Sequence, residues 1–123
     1  MRFVRWPFIS LMLLAVSTLL APGANAEATS AGSAAYQKYC AECHNANLAG
    51  GAHGAALVGE TFRTRWGKGG VPPLATFIRS MMSMNLPAGA PPSMTNSIAA
   101  FLLQSNGIEV SDQKPEETTW QGA

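Results

Sequence analysis

Charged residues, histidine and cysteine are all scarce in this chain of 123 residues. It has eight Lys and Arg, seven Asp and Glu, and only two residues each of His and Cys. The few basic residues form no run, so nothing indicates a nucleic-acid site, and no basic amphipathic helix indicates binding to a membrane surface. No alternating strand pattern of useful length occurs either. The sequence therefore favours an all-α fold.

Long apolar runs are equally rare, because the chain has only one, close to its start. Two arginines precede an apolar stretch at residues 8–21, and small residues at 24–26 supply a cleavage site. The stretch is shorter than the roughly 20 residues that a membrane-spanning helix needs. We therefore predict a signal peptide over residues 1–26, cleaved after Ala26, and an exported mature chain without a membrane span.

The two cysteines stand three positions apart and a histidine follows the second, which gives the pattern C-x-x-C-H at residues 40–44. With this spacing, Cys40 and Cys43 can form thioether bonds with the two vinyl groups of one porphyrin. His44 follows directly and can bind the iron through its imidazole. The pattern predicts one covalently bound c-type haem, with these three residues as its attachment points and first axial ligand.

Three other interpretations of the same residues remain. A thioredoxin-like dithiol at Cys40 and Cys43 needs a βαβ context, which the surrounding sequence does not indicate. A zinc site would add His44 and His53, but adjacent ligands suit a tetrahedral site poorly. A local disulfide between the two cysteines leaves His44 without a role.

Helical periodicity predicts about three main helices. The first is expected from about residue 33 through Cys43, after a frayed lead-in at residues 27–32. A short helical turn is expected at residues 60–66.

Proline and glycine punctuate the second half of the chain. Pro72 and Pro73 are expected to open the next helix, where proline suits the first turn. The last helix is expected to be capped by Ser93 or Thr95 and to stop at Asn106.

These segments define the domain organisation that we predict. After the signal peptide, residues 27–123 form one domain, with a core at residues 33–107 and a C-terminal tail at residues 108–123.

Methionine is a suitable second axial ligand for an electron-transfer haem, because its thioether favours ferrous iron. Four methionines of the mature chain are candidates: Met81, Met82, Met84 and Met94. The ligand is expected where a helix gives way to a proline-rich loop that can wrap the other side of the ring. That position leaves Met82 and Met84.

Three further segments accompany the attachment pattern. Residues 57–66 follow Leu-x-Gly-x-x-Phe-x-x-x-Trp, residues 77–82 end in Met-Met, and residues 100–107 read Ala-Phe-Leu-Leu-x-x-Asn-Gly. Together these segments resemble the single-haem class I cytochrome c family, and they are most similar to the small cytochromes that partner quinoprotein dehydrogenases. The resemblance implies Met82 as the sixth ligand. Ser83 follows it where the family has proline, so Met84 is the alternative.

The resemblance also implies a small cytochrome c fold, with about three main helices around one haem c, and electron transfer in the periplasm. Such a protein accepts electrons from a dehydrogenase or another donor and passes them to an oxidase or another cytochrome. It is not itself an enzyme, although it can be the cytochrome subunit of a dehydrogenase complex. The alternative is a haem enzyme or gas-binding sensor with an open sixth coordination site.

Two further contacts are expected around the haem. The resemblance implies that His44 donates its second ring proton to a backbone carbonyl within residues 52–59. Arg63, Arg65 and Trp66 are candidates to meet the haem propionates.

Overall fold

The computed structural model describes residues 23–110, which form five α-helices and one short 3₁₀ turn, with no β-strand among them. The predicted all-α class is therefore confirmed. The 3₁₀ turn lies between the fourth and fifth helices, and the elements in chain order are α1 (Ala24–Tyr39), α2 (Ala41–His44), α3 (Glu60–Trp66), α4 (Val71–Met81), the 3₁₀ turn (Ser83–Asn85) and α5 (Pro92–Ser105).

The two ends of the chain lie outside the described residues. Most of the predicted signal peptide is at residues 1–22, and most of the predicted tail is at residues 111–123, so neither prediction is tested here. Within residues 23–110, no helix is long and apolar enough to cross a bilayer.

The first helix begins earlier than its periodicity predicts. It starts at Ala24 rather than near residue 33, so the expectation of a frayed lead-in at residues 27–32 is wrong. Contacts with α5 explain the difference, because the hydroxyl of Thr29 donates to the side-chain oxygen of Gln104 at 2.6 Å. The partners are 75 positions apart in sequence, and local periodicity does not reveal them.

A glycine lets α1 and α5 approach closely. Gly32 is buried, and a Cβ at this position would lie 1.9 Å from the carbonyl oxygen of Ser97 and 2.9 Å from Cβ of Phe101. Only a residue without a side chain fits there. One turn further along α1, the ring of Tyr36 packs against that of Phe101 with centroids 5.5 Å apart.

Helices α4 and α5 supply most of the remaining apolar core. Leu74 and Ile78 of α4 are 2% and 5% exposed, and Ile98 and Leu103 of α5 are 1% and 0% exposed. Burial of each such side chain contributes about 1.5–3 kcal/mol to folding. The core therefore rests on three long helices, as the sequence predicts, and α2 and α3 are short additions to them.

The start of α5 differs in detail from the prediction. Pro91 occupies the N-cap position, and no side chain caps the helix, so the expected capping by Ser93 or Thr95 is wrong. The Thr95 hydroxyl instead lies inside the first turn, where it donates to the Pro92 carbonyl and accepts from Arg79 of α4, both at 3.0 Å. The predicted end of the helix at Asn106 is confirmed.

Candidate haem-attachment site

The C-x-x-C-H segment lies where α1 gives way to α2. Cys40 ends α1 with φ −119° and ψ −32°, and the next four residues form the single turn of α2. The amide of His44 donates to the Cys40 carbonyl at 3.0 Å, so helical geometry continues across the junction. This turn fixes the spacing between the first cysteine and the histidine.

Both cysteines are free, partly buried thiols. The structure therefore gives no support to a local disulfide between Cys40 and Cys43. It gives none to a thioredoxin-like site either, because the described part of the chain has no strand from which to build a βαβ unit.

The imidazole of His44 is held by the loop that follows it. Its Nδ1 lies 2.7 Å from the carbonyl oxygen of Ala55, inside the range of residues 52–59 that the resemblance implies. A carbonyl only accepts, so this contact assigns the ring proton to Nδ1. The lone pair then resides on Nε2, the atom through which a histidine held in this way binds a metal.

The loop at residues 45–59 packs tightly against the attachment segment. A Cβ on Gly54 would lie 2.7 Å from the Cys43 carbonyl oxygen and 2.8 Å from Nδ1 of His44. Two backbone hydrogen bonds brace the loop, from the Gly50 amide to the His44 carbonyl at 3.0 Å and from the Leu57 amide to the Leu48 carbonyl at 2.8 Å. The orientation of His44 is thus set by close backbone packing.

A narrow cleft, partly open to solvent, lies beside Cys40 and His44. Apart from those two residues and one asparagine, its walls are aromatic and aliphatic, with methionine sulfur among them. The other lining residues are Tyr36, Tyr39, Leu57, Phe62, Trp66, Leu74, Phe77, Ile78, Met82, Asn85, Leu86, Ile98 and Leu102. The chemistry of these walls suits an apolar group. Cys43 is not among the lining residues.

The four candidate methionines differ sharply in where they lie. Met82, the C-cap of α4, is partly buried and lines the cleft with His44. Met84 is 94% exposed and Met81 is 63% exposed, and neither lines the cleft. Met94 packs against the apolar core, as Met82 also does, but it does not line the cleft. Of the two methionines that the sequence left open, Met82 is the one that shares a cavity with His44.

An arginine covers two aromatic residues of the cleft wall. The guanidinium of Arg65 lies 5.0 Å from the ring centroid of Trp66 and 5.1 Å from that of Phe77. Arg63 instead pairs with Glu60 at 3.0 Å on the surface of α3. Of the two candidate arginines, Arg65 is therefore the one associated with the cleft.

Burial raises the pKa of two groups in the wall of the cleft. Desolvation, aided by the nearby Cys43, raises the pKa of the Cys40 thiol to about 11. Desolvation, aided by Cys40, raises the pKa of the Tyr36 hydroxyl to about 12. The Tyr36 hydroxyl therefore stays protonated at neutral pH, and it donates to the Asn45 carbonyl at 2.6 Å at the start of the loop.

Asn106 ties α5 to the loop, a role that the sequence analysis did not predict. Its Nδ2 donates to the carbonyls of Leu57 and Leu102, both at 2.8 Å, and its Oδ1 accepts from the Gly59 amide at 3.0 Å. In the sequence this asparagine marks only the end of a helix. Leu57 lines the cleft, so the bridge helps to position one wall of it.

The zinc alternative gains no support. His53 is exposed on the loop, and within residues 23–110 no three His, Cys, Asp or Glu side chains come together as a metal-binding group.

Comparisons with known proteins identify no relative. No family model, no curated protein and no solved structure matches this chain.

Proposed function

We propose that this chain is an exported electron carrier with a single covalently bound c-type haem. The observation that carries the proposal is that Cys40, His44 and Met82 line one apolar cleft. Cysteine and histidine are the residue types that c-type attachment requires, and methionine is a suitable second ligand. The C-x-x-C-H pattern supplies Cys43 as the second thioether donor.

A haem supplies one-electron chemistry, because its iron is stable as both ferric and ferrous ion. Cys40 and Cys43 would anchor the ring, His44 would be the first axial ligand through Nε2, and Met82 the second. The Ala55 carbonyl, 2.7 Å from Nδ1, orients the His44 imidazole and makes Nε2 a better donor.

The apolar walls of the cleft serve the same function. Leu74, Phe77 and Ile98 line the cleft together with the two proposed axial ligands, and their side chains offer water no hydrogen-bond partner. A dry environment with a neutral thioether ligand disfavours the extra charge of ferric iron, which raises the reduction potential. Arg65, whose guanidinium lies 5.0 Å from the Trp66 ring in the cleft wall, would be a candidate cation for a carboxylate of the ring.

An electron carrier is preferred to an enzyme because both axial positions have a protein ligand in this proposal. Iron that is bound on both sides has no free position for substrate and changes charge with little movement of its ligands. We propose a periplasmic dehydrogenase or a similar protein as electron donor, and an oxidase or another cytochrome as acceptor.

Optical spectroscopy tests the assignment of ligands. The protein is produced with its natural leader in a host that matures c-type cytochromes, and Met82→Ala is compared with Met84→Ala as the matched control. We expect the methionine–iron charge-transfer band of the ferric protein to disappear in Met82→Ala and to persist in Met84→Ala. Loss of the band in Met84→Ala alone would transfer the role to Met84.

Binding of carbon monoxide distinguishes an electron carrier from a haem enzyme or gas sensor with an open sixth position. With methionine bound, the spectrum of the reduced protein should not change quickly when carbon monoxide is added at neutral pH. A rapid change in the unmodified protein would mean that the sixth position is open, as in a gas sensor or a haem enzyme, and would overturn the carrier proposal.

A further inference from the structure

Positive charge in the described part of the chain is concentrated on α3 and in the turn that follows it. Three of the five Lys and Arg residues within 23–110 fall inside residues 63–68, and all three are exposed. They are Arg63, Arg65 and Lys68, and we call them the basic surface of α3. One carboxylate offsets them, because Glu60 pairs with Arg63 at 3.0 Å in the one ion pair among the described side chains. The surface therefore keeps an excess of positive charge.

The last described residues run alongside α3. Oδ1 of Asn106 accepts from the Gly59 amide at 3.0 Å, just before the helix begins. Two positions later, Cδ1 of Ile108 lies 3.4 Å from the place that a Cβ on Gly67 would occupy, just after the helix ends. Ile108 and Val110 also pack against the apolar core. The residues that follow therefore start close to the end of α3 and its basic surface.

Those following residues have the opposite charge. Residues 111–123, outside the described part, contain Asp112, Glu116 and Glu117 against the single cation Lys114. We call residues 111–123 the acidic tail.

The acidic tail is long enough to reach the whole basic surface. An extended chain spans at most about 3.3–3.6 Å per residue, so Glu116 and Glu117 can lie up to about 20–25 Å from Val110. Helix α3 has 7 residues. At a rise of about 1.5 Å per residue it is only about 10 Å long, so every cation on it is within reach.

We infer that the acidic tail docks, within the same molecule, on the basic surface of α3 through its three carboxylates. Each exposed ion pair is weak by itself and is screened by salt. Tethering compensates for this weakness, because a short linker gives the tail an effective concentration of about a millimolar at the surface. The contact is therefore expected at low salt and is expected to be lost at high salt.

Docking would change what this side of the cleft presents to other molecules. The guanidinium of Arg65 lies 5.0 Å from the ring centroid of Trp66, which lines the cleft. An uncovered basic surface attracts acidic macromolecules. With the tail in place, such a molecule has to displace the tail carboxylates first. The inference concerns charge and placement only and does not depend on the proposed haem.

Zero-length crosslinking measures the contact directly. A carbodiimide couples a carboxylate to a lysine amine as an amide, and itself takes up the water that is lost, only where the two groups touch. Residues 23–110 contain two lysines, Lys68 on the basic surface and Lys38 on α1, and both are exposed. The full exported chain is treated at low and at high salt, and mass spectrometry of peptides from the monomeric product identifies the linked residues.

At low salt, links from the acidic tail to Lys68 should exceed links to Lys38 by about tenfold. They should fall several-fold near 1 M salt, where charges are screened beyond about 3 Å. The tether alone also brings the tail near Lys68, but that effect does not depend on salt.

Arg63→Gln separates docking from tethering further, because it removes a charge and leaves Lys68 and the tether unchanged. It should reduce links to Lys68 about threefold at low salt. Lys38→Gln is the matched control, with the same loss of charge on α1, and should leave links to Lys68 within about 1.5-fold of the unmodified protein.

Amide NMR spectra test the contact from the other side. When the tail is neutralised by Asp112→Asn, Glu116→Gln and Glu117→Gln together, the amide signals of Lys68 and Gly69 should shift, and that of Lys38 should not. Unchanged signals at Lys68 and Gly69 would contradict docking.

Three results of the crosslinking would overturn the inference. Equal linking to both lysines, or links to Lys68 that ignore both salt and Arg63→Gln, would mean that the tail does not dock. Links found mainly in crosslinked dimers would place the tail on a second copy. Co-sedimentation with phosphatidylglycerol vesicles that is lost in Arg63→Gln, without tail links to Lys68, would assign the basic surface to anionic lipid. A chain that shows the expected links but carries no haem would refute only the electron-carrier proposal.

Discussion

Nδ1 of His44 lies 2.7 Å from the carbonyl oxygen of Ala55, eleven positions further along the chain. This contact couples the proposed iron ligand to a loop that has little regular structure. The loop is held in turn by close packing at Gly54 and by Asn106 from α5. The orientation of His44 thus depends on residues outside the C-x-x-C-H segment.

Gly54→Ala should disturb the orientation of His44. The added Cβ would lie 2.7 Å from the Cys43 carbonyl and 2.8 Å from Nδ1 of His44, so the loop has to move. Overpacking of this kind typically costs about 1–3 kcal/mol. We expect denaturant unfolding of the holoprotein to show a decrease of that size in the free energy of unfolding.

Gly51→Ala in the same loop is the matched control. Its Cβ would meet only the Asn45 side chain, at 3.2 Å, which is exposed and donates to the Gly50 carbonyl, so a shift of a few tenths of an ångström in that side chain relieves the contact. We expect a change within about 0.5 kcal/mol. An equal decrease in the free energy of unfolding in both variants would contradict the claim that close packing at position 54 makes a side chain there unfavourable.

Asn106→Ala should loosen the wall of the cleft that contains Leu57. The substitution removes three hydrogen bonds and leaves the Leu57 carbonyl and the Gly59 amide without their partner. At about 1 kcal/mol or more for each bond, the free energy of unfolding should fall by about 3 kcal/mol. Ser105→Ala, at the exposed neighbouring position, should cost less than 1 kcal/mol. Similar losses in the two variants would contradict the bridging role of Asn106.

Tyr36→Phe should change how stability depends on pH. Burial raises the pKa of Tyr36 to about 12, above its value of about 10 in the unfolded chain. The neutral hydroxyl therefore stabilises the fold fully below pH ~10, and this contribution is lost as the pH rises toward 12. Below pH 10 the variant should be less stable by about 1 kcal/mol, because the bond to the Asn45 carbonyl is gone.

Chemical denaturation between pH 7 and 12 measures this difference. The difference in the free energy of unfolding between the unmodified protein and Tyr36→Phe should become smaller above pH 10. Tyr39→Phe is the control, because its hydroxyl makes no hydrogen bond to the described residues. If this difference in the free energy of unfolding did not change with pH, folding would not raise the pKa of Tyr36.

Gly32→Ala should destabilise the crossing of α1 and α5. In an exposed helix the change would stabilise by about 1 kcal/mol through helix propensity. Here the new Cβ would lie 1.9 Å from the Ser97 carbonyl oxygen, so the helices must separate. We expect a net loss of about 1–3 kcal/mol in thermal or denaturant unfolding.

Ala34→Gly, at an exposed position of the same helix, isolates the propensity effect. It should cost about 1 kcal/mol. A gain in stability for Gly32→Ala would mean that the two helices do not approach this closely.

Local patterns in the sequence predict the elements of this fold well. Apolar spacing predicts the short helix Glu60–Trp66, paired prolines predict the start of α4, and Asn106 marks the end of α5. These features depend on residues within one or two turns of each other. The C-x-x-C-H pattern is local in the same sense, and it identifies the candidate attachment residues directly.

Contacts between distant parts of the chain are what the sequence does not reveal. Helix α1 extends back to Ala24, and within this extension Thr29 forms a side-chain hydrogen bond with Gln104, 75 positions away. Asn106 reaches Gly59 across 47 positions. The sequence does not reveal the difference in exposure between Met82 and Met84 either. That difference depends on the direction that the chain takes after α4 relative to the rest of the fold. A single sequence contains no sign of these pairings.

Intact-mass spectrometry of the exported, purified protein tests the central claim most directly. The account predicts the mass of the polypeptide from Glu27 onward plus one haem, held through Cys40 and Cys43 and retained under denaturing conditions. Cys40→Ala together with Cys43→Ala should reduce that mass to the polypeptide alone. A correctly exported protein with both cysteines present and only the bare polypeptide mass would contradict the account.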